Sequence, residues 1–243
     1  MSFRYESDTG YGRTITISPT QQLAMSRYVT RTYGWMFLGL VVTGLVSTLI
    51  ASSESAMQTI FQNQWMFFGV MIAQLAVVVG LSAAYQRISA AAAMGLFLLY
   101  SALTGVTFSV IFLLYTMSSI ANVFFITAGM FGGLALFGTV TKRDLTGIGT
   151  FMGMGLWGLI LVGIVNMFVG SSALSLGMSV AGVVIFAGLT AWDAQRIRML
   201  AYQAVTGDSR EGDKSAVFGA LMLYLNFINL FWSLLRLFGE RRE

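Results

Sequence analysis

Seven apolar runs, each close to the ~20 residues that a helix needs to cross the hydrocarbon core of a bilayer, set the limits on this fold. They fall at about Tyr33–Ala51, Trp65–Tyr85, Ala91–Leu114, Ala121–Thr141, Ile148–Val169, Leu176–Gln195 and Val217–Phe238. Lipid offers no hydrogen bonds, so runs of this length must satisfy their backbone internally, as helices. Composition agrees: of 243 residues, 56% are hydrophobic and only 10% charged, with a mean hydropathy of +0.77. A water-facing domain carries about 25% charged residues. The sequence therefore predicts an all-α membrane protein, a seven-transmembrane-helix bundle over residues 32–239. A polar tail over residues 1–31 precedes it and a short C-terminal tail, 240–243, follows.

Residues Met1 to about Arg31 hold the only proline, Pro19, and lack the apolar core and cleavage site of a signal peptide. They read as a retained, flexible tail. The run Asp208–Lys214 reads as a solvated turn. Lys and Arg occur in the N-terminal tail and in the second, fourth and sixth connections (Arg87; Lys142 and Arg143; Arg196, Arg198, Arg210 and Lys214). The first, third and fifth connections have none. Basic residues stay on the cytoplasmic side, so this alternation predicts a multi-pass protein of the cell membrane with a cytoplasmic N-terminus. Seven crossings leave the C-terminus outside, against the pull of Arg236, Arg241 and Arg242; the crossing is the favoured reading.

Several chemistries are excluded. With no cysteine and no histidine there is no disulfide, thiolate nucleophile, Ser-His dyad or histidine-based zinc site. No cofactor is expected. The net charge of +4 does not point to nucleic acid, because the basic residues sit where membrane topology puts them.

Asp193 is the only acidic residue inside any of the apolar runs. A carboxylate in hydrocarbon costs several kcal/mol unless compensated, so it marks a candidate functional site. It lies in Trp192-Asp193-Ala194-Gln195-Arg196-Ile197-Arg198, near the end of the sixth run, expected within about one turn of the cytoplasmic end of its helix. Arg87, which follows the second run, belongs to the same level, so an Asp193–Arg87 ion pair is possible. Arg196 and Arg198 are competing partners, Arg196 close to one turn away on the same helix.

The seventh run brings other polar groups. Asn226, Asn229 and Ser233 share one helical face by their spacing. A polar stripe on an apolar helix turns toward the bundle interior, either for interhelical hydrogen bonding, worth about 1 kcal/mol per contact, or to line an ion path. Gln74, deep in the second run, is a further candidate for a polar interior. Thr104, Thr107 and Ser109 need only bond their own helix. Asp144 reads as a helix cap, and Asn166 lies in the fifth run. The spacing Gly149-xxx-Gly153 suits close helix contact, and Trp65, Trp157, Trp192 and Trp232 read as packing or interface residues.

Trp192-Asp193-Ala194-Gln195-Arg196-Ile197 and Leu223-Tyr224-Leu225-Asn226-Phe227-Ile228-Asn229-Leu230-Phe231 resemble the Bax inhibitor-1 (transmembrane Bax inhibitor motif) family. Tyr33-Gly34-Trp35-Met36-Phe37, Leu103-Thr104-Gly105-Val106-Thr107 and Lys142-Arg143-Asp144-Leu145 look like its first helix, third helix and fourth loop. The likeness runs from about Arg31 to Gly239 and suggests a bacterial member. It implies a last helix that is central and surrounded by the other six. It also implies a pH-sensitive calcium leak, latched shut by an acid in helix six and another in helix seven that share a proton. Asp193 matches the first acid, and Arg87 matches an arginine thought to take that acid when the latch opens.

The chain departs from the family pattern where the second acid would stand, at Asn226. Two close carboxylates share a proton and switch near neutral pH; an Asp–Asn pair lacks their repulsion. The expected leak is therefore less steeply pH-dependent, with Asp193 held by Arg87 and Asn226. One acid fewer also weakens the case for calcium over another cation, since hard cations favour carboxylate oxygens. The competing reading is a membrane regulator that binds a membrane protease or another membrane protein, through the tail Met1–Arg31. An intramembrane enzyme is the least expected class, since a lone aspartate without His or Cys leaves few catalytic routes.

Overall fold

The computed structural model describes residues 3–4, 14–15, 18–84, 87–206 and 212–242. Two short strands, β1 (Phe3–Arg4) and β2 (Thr14–Ile15), pair antiparallel. The other elements are helices: α1 (Pro19–Ala51), α2 (Glu54–Gln62), α3 (Gln64–Ala83), α4 (Ala90–Phe108), α5 (Ile111–Leu114), α6 (Met117–Val140), α7 (Thr146–Val169), α8 (Ser172–Thr206) and α9 (Gly212–Phe238). Seven stretches are long and apolar enough to cross a membrane, with α4 and α5 together making one of them. The bilayer is therefore the partner of this fold's outer surface.

The helices begin where the sequence supplies caps. Ser18 and Gln21 form a reciprocal capping box around Pro19, which takes the first helical position, where its missing N–H costs nothing. The first span thus starts well before Tyr33, and residues 19–31, read from sequence as tail, are helical. Asn63 ends α2 and caps α3. Gly170 ends α7 in the left-handed conformation that glycine adopts without strain (φ 65°). Beside it Asn166 closes the α7–α8 turn, donating to Ser175 Oγ at 2.9 Å and accepting from Ser171 N at 2.9 Å.

Three sequence boundaries change. Helix α8 does not stop at Gln195 but runs on to Thr206, because nothing from Arg196 to Val205 is a glycine or proline and Ile197 and Ala201 stay buried. About 20 Å of helix follows Asp193, rather than one turn. Lys214 and Asp213 belong to α9, not to a solvated turn, and Lys214 is buried; residues 207–211 lie outside the described residues. Between α1 and α3, where the sequence indicated a loop, lies the amphipathic α2, burying Met57 and Ile60.

Helix α9 is the axis of the bundle. Its neighbours are α1, α4, α6 and α8, while α7 lies against α8 and α3 against α4 and α2. The centrality implied by the resemblance is present, but two of the other six spans form an outer layer rather than touching the axis broadly. The outer helices expose their apolar residues, among them Phe151, Trp157 and Phe168 on α7 and Ile72, Leu75 and Val79 on α3.

The C-terminal segment docks at the far end from the Lys142–Asp144 connection. Thr116 N donates to Glu240 O (3.1 Å), Arg242 N to Leu114 O (3.0 Å) and Arg242 Nη1 to Phe112 O (2.9 Å). Helix α9 therefore traverses the bundle, and Arg241 and Arg242 end on the side of the α5–α6 connection.

Candidate functional site

Close packing of α8 against two neighbours fixes the direction of Asp193. A Cβ on Gly138 of α6 would collide with the Ala191 carbonyl, and one on Gly149 of α7 with the Trp192 indole. One turn earlier, Gly188 receives Met152 of α7. With Ala191 and Trp192 committed to α6 and α7, the next position on a helix of 3.6 residues per turn points toward α9. There Asn226 Nδ2 donates to Asp193 Oδ2 at 2.7 Å, and both residues are buried, 5% and 6% exposed respectively. This is a charge-assisted hydrogen bond between the axis and its most extensively packed neighbour.

The expected ion pair with Arg87 is absent: Arg87 is exposed at the end of α3, which packs on α4 and α2, away from α8. Arg196 does not pair with Asp193 directly either. Its guanidinium lies over the Trp192 ring, 5.6 Å from the centroid. Arg198 Nη1 donates to Thr139 O at 2.6 Å, satisfying a carbonyl at the end of α6. Gln195, not singled out from the sequence, clamps the α6–α7 connection, accepting from Leu145 N (2.9 Å) and donating to Arg143 O (2.8 Å). Together these contacts hold the Asp193 turn of α8 against both flanking helices.

The remaining candidates divide. Asn229 turns to its own helix, Nδ2 donating to Leu225 O at 2.8 Å, and Ser233 donates to Asn229 O at 2.8 Å while packing against Gly182 of α8. Gln74 Nε2 donates to Thr107 Oγ1 at 3.0 Å, a link between α3 and α4 outside the Asp193 cluster. Thr104, Thr107 and Ser109 each donate to a carbonyl of their own helix. Asp144 accepts from Thr146 N at 2.9 Å, and these bonds hold its exposed carboxyl below the usual 3.8. Of the two glycines in Gly149-xxx-Gly153, only Gly149 is in close contact; Gly153 faces open space.

On the opposite side of α9 lies a buried polar group that tyrosine's ordinary role in apolar runs concealed. Tyr224 is fully buried, with its hydroxyl 2.6 Å from Thr43 Oγ1 of α1. Thr43 Oγ1 is in turn 2.9 Å from Ser101 O of α4 and 3.0 Å from Gly39 O. Glycines on both helices allow this approach, since a Cβ on Gly39 would strike Phe97 and one on Gly105 would strike Thr43 O.

The Asp193 site offers one carboxylate and one amide, whereas a tightly held calcium takes ~6–8 oxygens. Among the described residues no group of three or more acids gathers anywhere. One carboxylate and one amide fall short of such a donor set.

Comparison with known proteins places this architecture. The chain is 46% identical over 218 residues to the inner membrane protein YbhL of Escherichia coli K12, covering 90% of this chain and 93% of that one. It is 42% identical over 228 residues to an uncharacterized protein of Deinococcus radiodurans (93% and 96% covered). An uncharacterized protein of Borreliella burgdorferi is 41% identical over 229 residues (94% and 98% covered). The family profile described as "Inhibitor of apoptosis-promoting Bax1" matches residues 25–243, essentially the whole bundle with Asp193 and its central partner helix, and the chain belongs to this Bax inhibitor family.

Proposed function

We propose that the protein is a passive cation leak of the bacterial cytoplasmic membrane, with calcium as the first candidate ion, held closed where Asp193 meets Asn226. It is not an enzyme in this reading. The observation that carries it is the 2.7 Å bond between a buried carboxylate on α8 and an amide on the central helix. A lone charge among apolar helices is expensive, and its usual use is in an ion or proton path. The bond ties the axis to its neighbour, so breaking it frees α9 to move. The N-terminus and the Lys142–Arg143 connection face the cytoplasm.

The test is ion flux into liposomes holding the purified protein, followed across pH, for wild type and Asp193→Ala. A leak whose size changes with the substitution supports the reading. No flux under any condition overturns it and favours a regulator acting through a membrane-protein partner such as a protease.

A further inference from the structure

Positions two apart on a helix point about 200° apart, so Tyr224 and Asn226 leave α9 on opposite sides. Asn226 reaches α8; Tyr224 reaches α1 and α4. We infer that the Tyr224–Thr43 contact is a second closing point of the path, with Tyr224 as the residue that positions α9 against α1 and α4. This rests on the leak reading above and extends it to residues on the far side of the axis.

The seam in question is polar where apolar side chains would pack as well. Thr43 and Ser47 of α1 face Ser101 and Gly105 of α4, and Ser47 Oγ donates to Gly105 O at 2.8 Å. The Tyr224 ring lies against this seam from the α9 side, edge-on to Phe97 (5.6 Å between centroids) and Tyr100 (6.0 Å). A row of hydroxyl and carbonyl oxygens can replace part of an ion's hydration shell once the obstructing ring withdraws.

The contact is also built to open. When Tyr224 leaves, Thr43 keeps a carbonyl acceptor in Gly39 or Ser101, so no threonine hydroxyl is stranded. The tyrosine hydroxyl sits among Thr43, Thr104 and Ser101 and gives up all of them on withdrawal, and a buried hydroxyl without a partner costs ~1–3 kcal/mol unless water replaces it. Withdrawal of Tyr224 and entry of water into the seam are therefore coupled. Both closing points lie within one turn of α9, so one movement of that turn releases them together.

The absence of native cysteine makes a direct test clean. A single cysteine at Ser101, which is fully buried, is labelled in liposomes with a charged, membrane-impermeant thiol reagent, and calcium flux is measured on the same samples. Against the native background, Tyr224→Phe and Thr43→Val should each speed labelling by up to about tenfold, the change one hydrogen bond makes in an open–closed equilibrium. The double variant should do no more than Thr43→Val alone, because that change already removes the contact with Tyr224 along with the bond to Ser101 O. Equal labelling rates in all four backgrounds would overturn the inference. Faster labelling with no calcium flux in any variant would leave the second closing point standing and remove the calcium reading instead. Flux that responds to Asp193→Ala, with labelling indifferent to Tyr224→Phe, would keep the leak and discard the second closing point.

Discussion

Asn226 Nδ2 donates to Asp193 Oδ2 across 2.7 Å, a hydrogen bond that runs from the axis of the bundle to the buried carboxylate of α8. The energetics of the pair are asymmetric. Removing the amide strands a buried charge, whereas neutralising the acid leaves two groups that still bond.

Asn226→Leu should therefore destabilise the protein by about 3–5 kcal/mol, as breaking a buried charged pair does. Asp193→Asn should cost less than ~1 kcal/mol. Thermal unfolding in detergent micelles measures both; equal losses would show that the acid is not held by the amide.

Asn226→Asp places two carboxylates where one bond now runs. Both cannot stay ionised at that distance, so the pair must take up a proton and the leak gains a pH-dependent step near neutrality. Flux–pH curves that superimpose for wild type and variant would contradict this.

The glycine contacts predict opposite signs at neighbouring positions. Gly149→Ala drives a methyl into the Trp192 ring and Gly138→Ala one into the Ala191 backbone, each expected to cost about 1–3 kcal/mol. Gly153→Ala meets nothing within 4 Å and should be neutral or stabilising by up to ~1 kcal/mol, since alanine suits a helix better. Unfolding midpoints decide between these signs.

Asp144 lies outside the spans, with its carboxyl held below 3.8 by its bonds to Thr146. Its folded value is depressed, so its contribution to ordering the start of α7 is fully present above pH 3.8 and is lost as pH falls through the lowered value. The Thr146 amide resonance should therefore titrate with a midpoint below pH 3.8; a midpoint at or above it would refute the bond.

The seven spans were legible because an apolar run of bilayer length has few other uses. The extension of α8 was not, because Ile197 and Ala201 are buried on one side only and the run carries Arg196 and Arg198 on others. Hydropathy likewise could not find α2, which is amphipathic and short. Sequence placed Asp193 and Asn226 on facing helices, through the polar stripe and the family likeness. For Arg87 it supplied a level along the bundle but no azimuth, and α3 lies behind α4. Spacing could not say which of Gly149 and Gly153 meets a neighbour. Thr43 escaped notice because a threonine hydroxyl in an apolar run ordinarily bonds its own helix, and Tyr224 because tyrosine ordinarily serves there as a packing or interface residue; only the fold brings these two to 2.6 Å.

The most direct measurement is calcium leak from liposomes at matched protein density for wild type, Asp193→Ala and Asn226→Leu, with Gln58→Ala on the exposed face of α2 as control. The expected result is a leak raised up to about tenfold by each change at the buried pair, the effect of losing one hydrogen bond that favours the closed state, and unaltered in the control. Folded variants that leak no differently from wild type would contradict the assignment of the Asp193–Asn226 bond as the closure.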